Sequence, residues 1–105
     1  MRIQQDQLQI KIFWNKNFLG ISLDQISFKH KFALTPYYFW PKIELLQQLK
    51  LELNSKLWLS KETKIETLKI VGNVMNYWLS YRKIKTVENF RSEFANVKNI
   101  TIKTN

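Results

Sequence analysis

Leu8, Ile10, Ile12 and Trp14 alternate with Gln9, Lys11 and Phe13, the period of two that marks a strand with one face in a core. Asn15-Lys16-Asn17 follows as a turn cluster, and Leu19, Ile21 and Leu23 then alternate with Gly20, Ser22 and Asp24. Two such runs joined by a short, Asn-bearing connection predict a β-hairpin. Gly20 inside the second run points to a bulge or to a close approach by a neighbouring group. Residues Ser27 to Thr35 show no period and read as irregular. Pro36 and Pro41 then fence a short aromatic stretch, Tyr37-Tyr38-Phe39-Trp40, whose last residue is pushed to extended geometry by the proline after it.

From there the period lengthens. Ile43, Leu46, Leu49, Leu53 and Leu57 recur at spacings of three and four, which predicts an amphipathic helix to about Lys56, with Pro41 suited to its first turn. Ser60 is placed to cap a second helix, with Glu62 in the first turn beside the positive end of the helix dipole. Ile65, Leu68, Val71, Met75, Trp78 and Arg82 run down one side of that helix, widened by Val74, Tyr77 and Tyr81. Gly72 costs the helix about 1 kcal/mol against Ala, which points to close packing there. Thr86 can cap a shorter third helix carrying Val87, Phe90 and Phe94, and Ile100-Thr101-Ile102 reads as a last short strand.

Strands first and helices after predict an α+β fold. It comprises a small antiparallel sheet that starts with the N-terminal β-hairpin, packed against two to three C-terminal helices. The chain reads as one domain, residues 1–105, with a globular core over about 8–95 and a short tail at each end. Hydrophobic residues make up 45% of it and aromatic ones 14%, enough large rings for so short a chain to fold without staples. There is no Cys, which removes disulfides, thiolate metal sites and thiol nucleophiles together and favours a reducing compartment. Met1-Arg2-Ile3-Gln4-Gln5-Asp6-Gln7 has neither an apolar leader core nor an Arg/Ser-rich presequence. No apolar run approaches the roughly 20 residues of a membrane span.

Charge changes the picture most. Seventeen Lys and Arg face eight Asp and Glu, a net charge of +9, and such a chain attracts polyanions, of which nucleic acid is the commonest. Fourteen of the cations are Lys and three are Arg. Lysine meets phosphate as a point charge, whereas arginine forks onto base edges, so the bias favours backbone contact over sequence reading.

Candidate chemistry is sparse. His30 is the sole histidine and stands between two lysines without a carboxylate or Cys beside it, which suits solvent or phosphate contact better than catalysis. A zinc site wants three or four Cys, His or carboxylate ligands, and no such cluster is present. Most acidic residues sit among lysines on predicted helix faces; Asp24, in a strand, reads as a turn-stabilising or buried hydrogen-bonded residue. With only Gly20 and Gly72, no phosphate-cradling loop exists. The expectation is therefore not an enzyme, with no cofactor, metal or small-molecule substrate.

The candidate RNA-binding residues are Lys29, His30, Lys31, Lys42, Arg82, Lys83 and Lys85. Lys29-His30-Lys31 forms a compact basic loop flanked by Phe28 and Phe32; a solvated loop whose phenylalanines plug the core is the competing reading. Arg82, Lys83 and Lys85 follow a helix C-terminus, where cations are stabilising in any case. Tyr37 to Trp40 could stack bases, but rings in a small basic domain first supply its core.

Several blocks look like one family. Leu34-Thr35-Pro36-Tyr37-Tyr38-Phe39-Trp40-Pro41, Gln47-Gln48-Leu49-Lys50-Leu51-Glu52-Leu53 and Lys56-Leu57-Trp58-Leu59 stand in register. So do Ile12-Phe13-Trp14, Asn15-Lys16-Asn17, Ile21-Ser22-Leu23-Asp24-Gln25 and the set Ile65, Leu68, Asn76, Tyr77, Trp78. Together, over about residues 8–80, the chain resembles the plastid-specific ribosomal protein three family, found in the small ribosomal subunit of chloroplasts and with cyanobacterial relatives. The resemblance implies a structural constituent of the chloroplast 30S subunit in the plastid stroma, supporting translation. Its implied partners are 16S rRNA and other small-subunit ribosomal proteins, with no membrane. The abundance of Ile, Asn and Lys fits an AT-rich organelle genome. The alternative is a free single-stranded-RNA-binding or translation-regulatory module that stacks bases on Tyr37, Tyr38 and Trp40. The named RNA contacts rest on charge and not on the resemblance.

Overall fold

The computed structural model describes residues 7–27, 30–81, 87–97 and 99–104. β1 (Gln7–Trp14) and β2 (Leu19–Ser27) form the expected antiparallel hairpin, with Gln7 opposite Ile26 and Trp14 opposite Leu19. The turn is stabilised locally, since the Asn17 N–H donates to Asn15 Oδ1 at 2.8 Å. Alternation does what the pattern predicts: Leu8, Ile10, Ile12 and Trp14 of β1 and Leu19, Ile21 and Leu23 of β2 are all buried on one face.

The outer edge of β2 is shared by two short strands. β3 (His30–Ala33) pairs antiparallel with Asp24–Ser27, and β4 (Tyr38–Trp40) pairs antiparallel with Leu19–Ile21. Between them Thr35 takes over the edge. Its Oγ1 accepts the Leu23 N–H at 3.0 Å, while the Leu34 and Thr35 N–H groups both donate to the Leu23 carbonyl. No backbone group of Leu23 is thus left unpaired where the strands break. The segment read as irregular therefore contains β3. All four of its side chains are exposed, so it carries no hydrophobic alternation, and only backbone pairing defines it.

β5 (Ile100–Thr104) lies along the other edge, on β1, and runs parallel to it, so the sheet is mixed, with strand order β3-β2-β1-β5. The direction follows from the connection: the chain returns to the sheet through helices, the crossover that delivers parallel strands. Asn99 pins the entry, its carbonyl accepting the Ile10 N–H at 2.8 Å and its side-chain amide donating to the Leu8 carbonyl at 2.9 Å.

α1 (Leu45–Asn54), α2 (Lys61–Tyr81) and α3 (Val87–Glu93) supply the C-terminal helices. Pro41 is not in the first turn of α1. The Ile43 N–H closes back on the Phe39 carbonyl at 2.9 Å, a turn that leaves Glu44 extended ahead of the helix. The helix therefore begins at Leu45 and buries Leu45, Leu49 and Leu53, whereas Ile43 and Leu57 fall beyond its ends and are exposed. Ser60 caps α2 as expected, its Oγ accepting the Thr63 N–H at 3.1 Å.

The buried stripe of α2 is Thr67, Val71, Val74, Met75 and Trp78. Ile65, two residues and so roughly 200° of helical turn from Thr67, faces water at 57% exposure. Gly72 is a further correction, because a Cβ there would meet nothing within 4 Å and no close packing exists. Thr86, the expected cap of the third helix, lies outside the described residues. Phe90 of α3 is buried against Trp14, with ring centroids 4.9 Å apart.

A polar link joins β4 to α1. The Tyr38 hydroxyl donates to Glu52 Oε2 at 2.6 Å, and Lys56 Nζ lies 3.4 Å from Glu52 Oε1. That hydroxyl bond, resisted by burial and helped by Lys56, holds the Glu52 carboxyl below its ordinary 4.5. The same bond first, then burial, pushes the Tyr38 phenol above 10.0. The glutamate contribution is full above its unfolded pKa and is lost as pH falls through the folded one. The tyrosine contribution is full below its unfolded pKa and is lost as pH rises through the folded one. Tyr38→Phe should cost about 1 kcal/mol at neutral pH, and the gap from the parent should shrink in acid, where Glu52 is neutral. Urea unfolding in neutral and in acidic buffer measures this. An equal gap in both would mean that the ionised pair is not responsible.

Candidate nucleic-acid interface

The sheet has two unlike faces. Leu8, Ile10, Ile12, Trp14, Leu19, Ile21 and Leu23 face the helices. By register, Gln9, Lys11 and Phe13 of β1, Gly20, Ser22, Asp24 and Ile26 of β2, and Lys31 and Ala33 of β3 share the opposite face. Phe39 of β4 and Thr101 and Lys103 of β5 join them there. The aromatic segment is divided by this alternation. Tyr38 and Trp40 turn to the helix side and pack against the core, whereas Phe39 lies on the other face over Gly20.

Gly20 is where the close approach expected from the sequence is found. A Cβ at that position would lie 2.5 Å from Phe39 Cε1 and 3.1 Å from Phe13 Cβ. Only a hydrogen there lets the Phe39 ring lie down on β2. Phe13, Phe18 and Tyr37 gather round it, Tyr37 stacked on Phe39 at 5.9 Å between centroids and the other two meeting Phe39 edge-on.

The charges on this face are nearly all positive. Lys11 Nζ sits 3.3 Å from Asp24 Oδ2 and 5.5 Å from the centroid of the Tyr37 ring. Asp24 is the one carboxylate on the face among the described residues, and Lys11 offsets it. Lys31 and Lys103 are exposed on the same face by register, and Lys16 is exposed at the hairpin turn. The glutamates, by contrast, all lie on or beside the helices.

Of the residues singled out by charge, three are described. His30 and Lys31 open the exposed edge strand β3 rather than forming a loop, and alternation sends them to opposite faces. His30 lies beside Phe32, ring centroids 6.2 Å apart, and Phe32 is 54% exposed instead of plugging the core. Lys42 is exposed in the turn after Pro41. Lys29, Arg82, Lys83 and Lys85 lie outside the described residues. Reasoning along the chain missed Phe13, Phe18, Lys11 and Lys103. The available signal was Phe13, an aromatic residue at an outward position of β1, but pairing with β4 and β5 is needed to see its companions.

Among the described residues no group of three His, Cys, Asp or Glu could hold a metal ion, and no helix is long and apolar enough to cross a membrane. Open clefts lie between elements among the described residues. One, about 390 Å³ between α1 and α2, is lined by Glu44, Leu46, Gln47, Lys50 and Leu68, with no nucleophile–base pair among them.

Comparison with known proteins gives this basic surface a context. The profile of a family described as plastid and cyanobacterial ribosomal protein (PSRP-3 / Ycf65) matches residues 34–81. A protein of Synechococcus sp. (strain JA-3-3Ab), named probable small ribosomal subunit protein cS23, is 34% identical over 88 residues, which span 84% of this chain and 89% of the relative. The chain belongs to this family. Small ribosomal subunit protein cS23 of Gracilaria tenuistipitata var. liui is 32% identical across 80% of this chain and 85% of its own length. In the cS23 protein of Hordeum vulgare the match is 33% identical and covers 71% of this chain but 42% of the relative. Membership places the chain among ribosomal proteins of plastids and cyanobacteria, in translation and in the plastid ribosome, as the sequence blocks imply.

The blocks that carry the family resemblance are mostly structural. Thr35 completes the β2 edge, Trp78 is fully buried, and Trp58, though 62% exposed, donates its indole N–H to the buried Gln25 at 3.0 Å.

Proposed function

We propose that the protein is a structural constituent of the plastid small ribosomal subunit and not an enzyme. As a single domain it binds 16S rRNA phosphates through its lysines and docks neighbouring ribosomal proteins through exposed apolar side chains. The observation that carries this reading is the alignment across 84% of the chain to relatives named as small-subunit proteins. The net charge of +9 and its Lys-over-Arg bias support phosphate contact as the means.

Lys29, His30, Lys31, Lys42, Arg82, Lys83 and Lys85 are the proposed phosphate contacts, joined by Lys16 and Lys103. Leu51, Leu57 and Ile65, all more than half exposed on the helix side, are available to protein neighbours.

Affinity for 16S rRNA should fall steeply with salt. Each phosphate neutralised adds about 0.7 to 0.9 to the slope of log affinity against log salt. Lys31→Gln and Lys42→Gln should each flatten that slope by about one phosphate while leaving the fold intact. The check is sedimentation of the full chain with purified small subunits over a salt series. A chain that never travels with the particle, even at low salt, overturns the reading.

A further inference from the structure

The ring cluster on the open face of the sheet is not part of the hydrophobic core. Phe13, Phe18, Tyr37 and Phe39 each remain partly exposed and lie outside the buried cluster. Tyr37 and Phe39 are stacked with planes 22° apart, and Phe13 meets both edge-on, at 89° and 73°. The rings pack on one another, and each keeps part of its surface open to solvent.

Two further observations concern what such a surface would meet. Its rim is cationic: Lys11 and Lys103 share the face, Lys16 is exposed at the hairpin turn, Lys31 lies on the same face further along, opposite Ile26, and Asp24 is the only described carboxylate there. Its floor is polar and closed. Ser22 and Asp24 follow Gly20 along β2 on this face, 1% and 2% exposed, and Ser22 Oγ and Asp24 Oδ1 have no hydrogen-bond partner. Both atoms are enclosed beneath the surface, so they shape the floor of the face and are not themselves contacts for a base.

The geometry points to a base-stacking platform, on which unpaired bases of single-stranded RNA lie against Tyr37, Phe39, Phe13 and Phe18 while the flanking phosphates run past Lys31, Lys16 and Lys103. This rests on the rRNA-binding reading above and specifies which face does it and to what kind of RNA. A protein partner's apolar patch would be poorly matched by a lysine rim, whereas a base brings a π-face and a phosphate together. A-form duplex keeps its bases stacked internally and cannot supply them.

The test uses the full chain and a labelled ten-nucleotide single-stranded RNA, with the same strand in duplex as comparison, read by fluorescence anisotropy. Tyr37→Leu with Phe18→Leu keeps apolar cover over β2 but removes two π-faces. Single-strand affinity should fall about 10- to 100-fold, with the salt slope and the thermal midpoint little changed. Lys31→Gln with Lys103→Gln should weaken binding and flatten the slope.

Should the ring variant bind single strands like the parent while the lysine variant does not, and the parent still sediments with small subunits, rRNA binding stands and the platform is overturned. Loss of sedimentation without loss of RNA affinity would make the face a protein-docking surface, which also overturns it. A parent chain that binds neither RNA nor the subunit removes the underlying reading and the platform with it. If the ring variant fails to fold, photocrosslinking of the parent to a 4-thiouridine-bearing strand decides. Adducts at Phe13, Phe18, Tyr37 or Phe39 support the platform, and adducts confined to helix residues overturn it.

Discussion

Trp78→Ala is expected to cost about 3–5 kcal/mol, a large share of the roughly 5–15 kcal/mol that holds such a domain together. Trp78 is 0% exposed near the end of α2, and its indole N–H donates to the Asn15 carbonyl at 2.7 Å. One side chain thus packs the helix on the sheet and pins the hairpin turn, 63 residues away in sequence. Truncation opens a cavity where the surrounding core cannot collapse and strips a part-buried carbonyl of its donor. Trp78→Phe separates the two effects, because it keeps most of the ring and loses the N–H. Its cost should be about 1–3 kcal/mol. Urea unfolding of both variants measures the difference. Equal costs would show that the hydrogen bond dominates, and a cost near zero for Ala would remove Trp78 from the core.

The second large effect belongs to Gly20. Gly20→Ala places a methyl group 2.5 Å from the Phe39 ring, so the ring must swing away from β2. That movement is hindered, because Phe39 is also in contact with Phe18 at 5.5 Å and Tyr37 at 5.9 Å between centroids. Overpacking of this kind costs about 1–3 kcal/mol. Phe39→Ala relieves the clash at the price of its ring contacts, so the double variant should be less destabilised than the sum of the singles. A coupling of about 1 kcal/mol or more is expected for groups in direct contact. Strict additivity in a thermal-denaturation cycle would mean that the ring accommodates the methyl group freely. The same cycle bears on RNA, since Gly20→Ala should disturb the platform without touching a lysine.

How far the sequence could be read varies by element, and the reason is physical in each case. β1, β2 and the start of α2 were legible because their signals are local: a period of two, an Asn turn and a Ser cap need no distant partner. β3 was not legible, because its four side chains are all exposed and only its backbone pairs. The first turn of α1 is ambiguous in sequence, because Pro41 is compatible with both a helix start and a turn, and the Ile43 N–H bond to the Phe39 carbonyl selects the turn. The pattern also places Ile65 on the core side, since a long helix with apolar residues on several sides permits more than one stripe. Contact with the sheet selects Thr67, Val71, Val74, Met75 and Trp78.

Gly20 and Gly72 make the contrast plain. Each could be read as a site of close approach, and only the first is one, because only Gly20 has a ring above it. The candidate site divides in the same way. The order of hydrophobic periods was enough for the α+β fold, and the aromatic and glutamine-rich blocks were enough for its family. Which lysines share a face, and which of four consecutive aromatic residues enter the core, depends on strand pairing. That pairing brings Phe13, Gly20 and Phe39 side by side from three separate strands, a juxtaposition set by hydrogen bonds between distant backbones that no local pattern encodes.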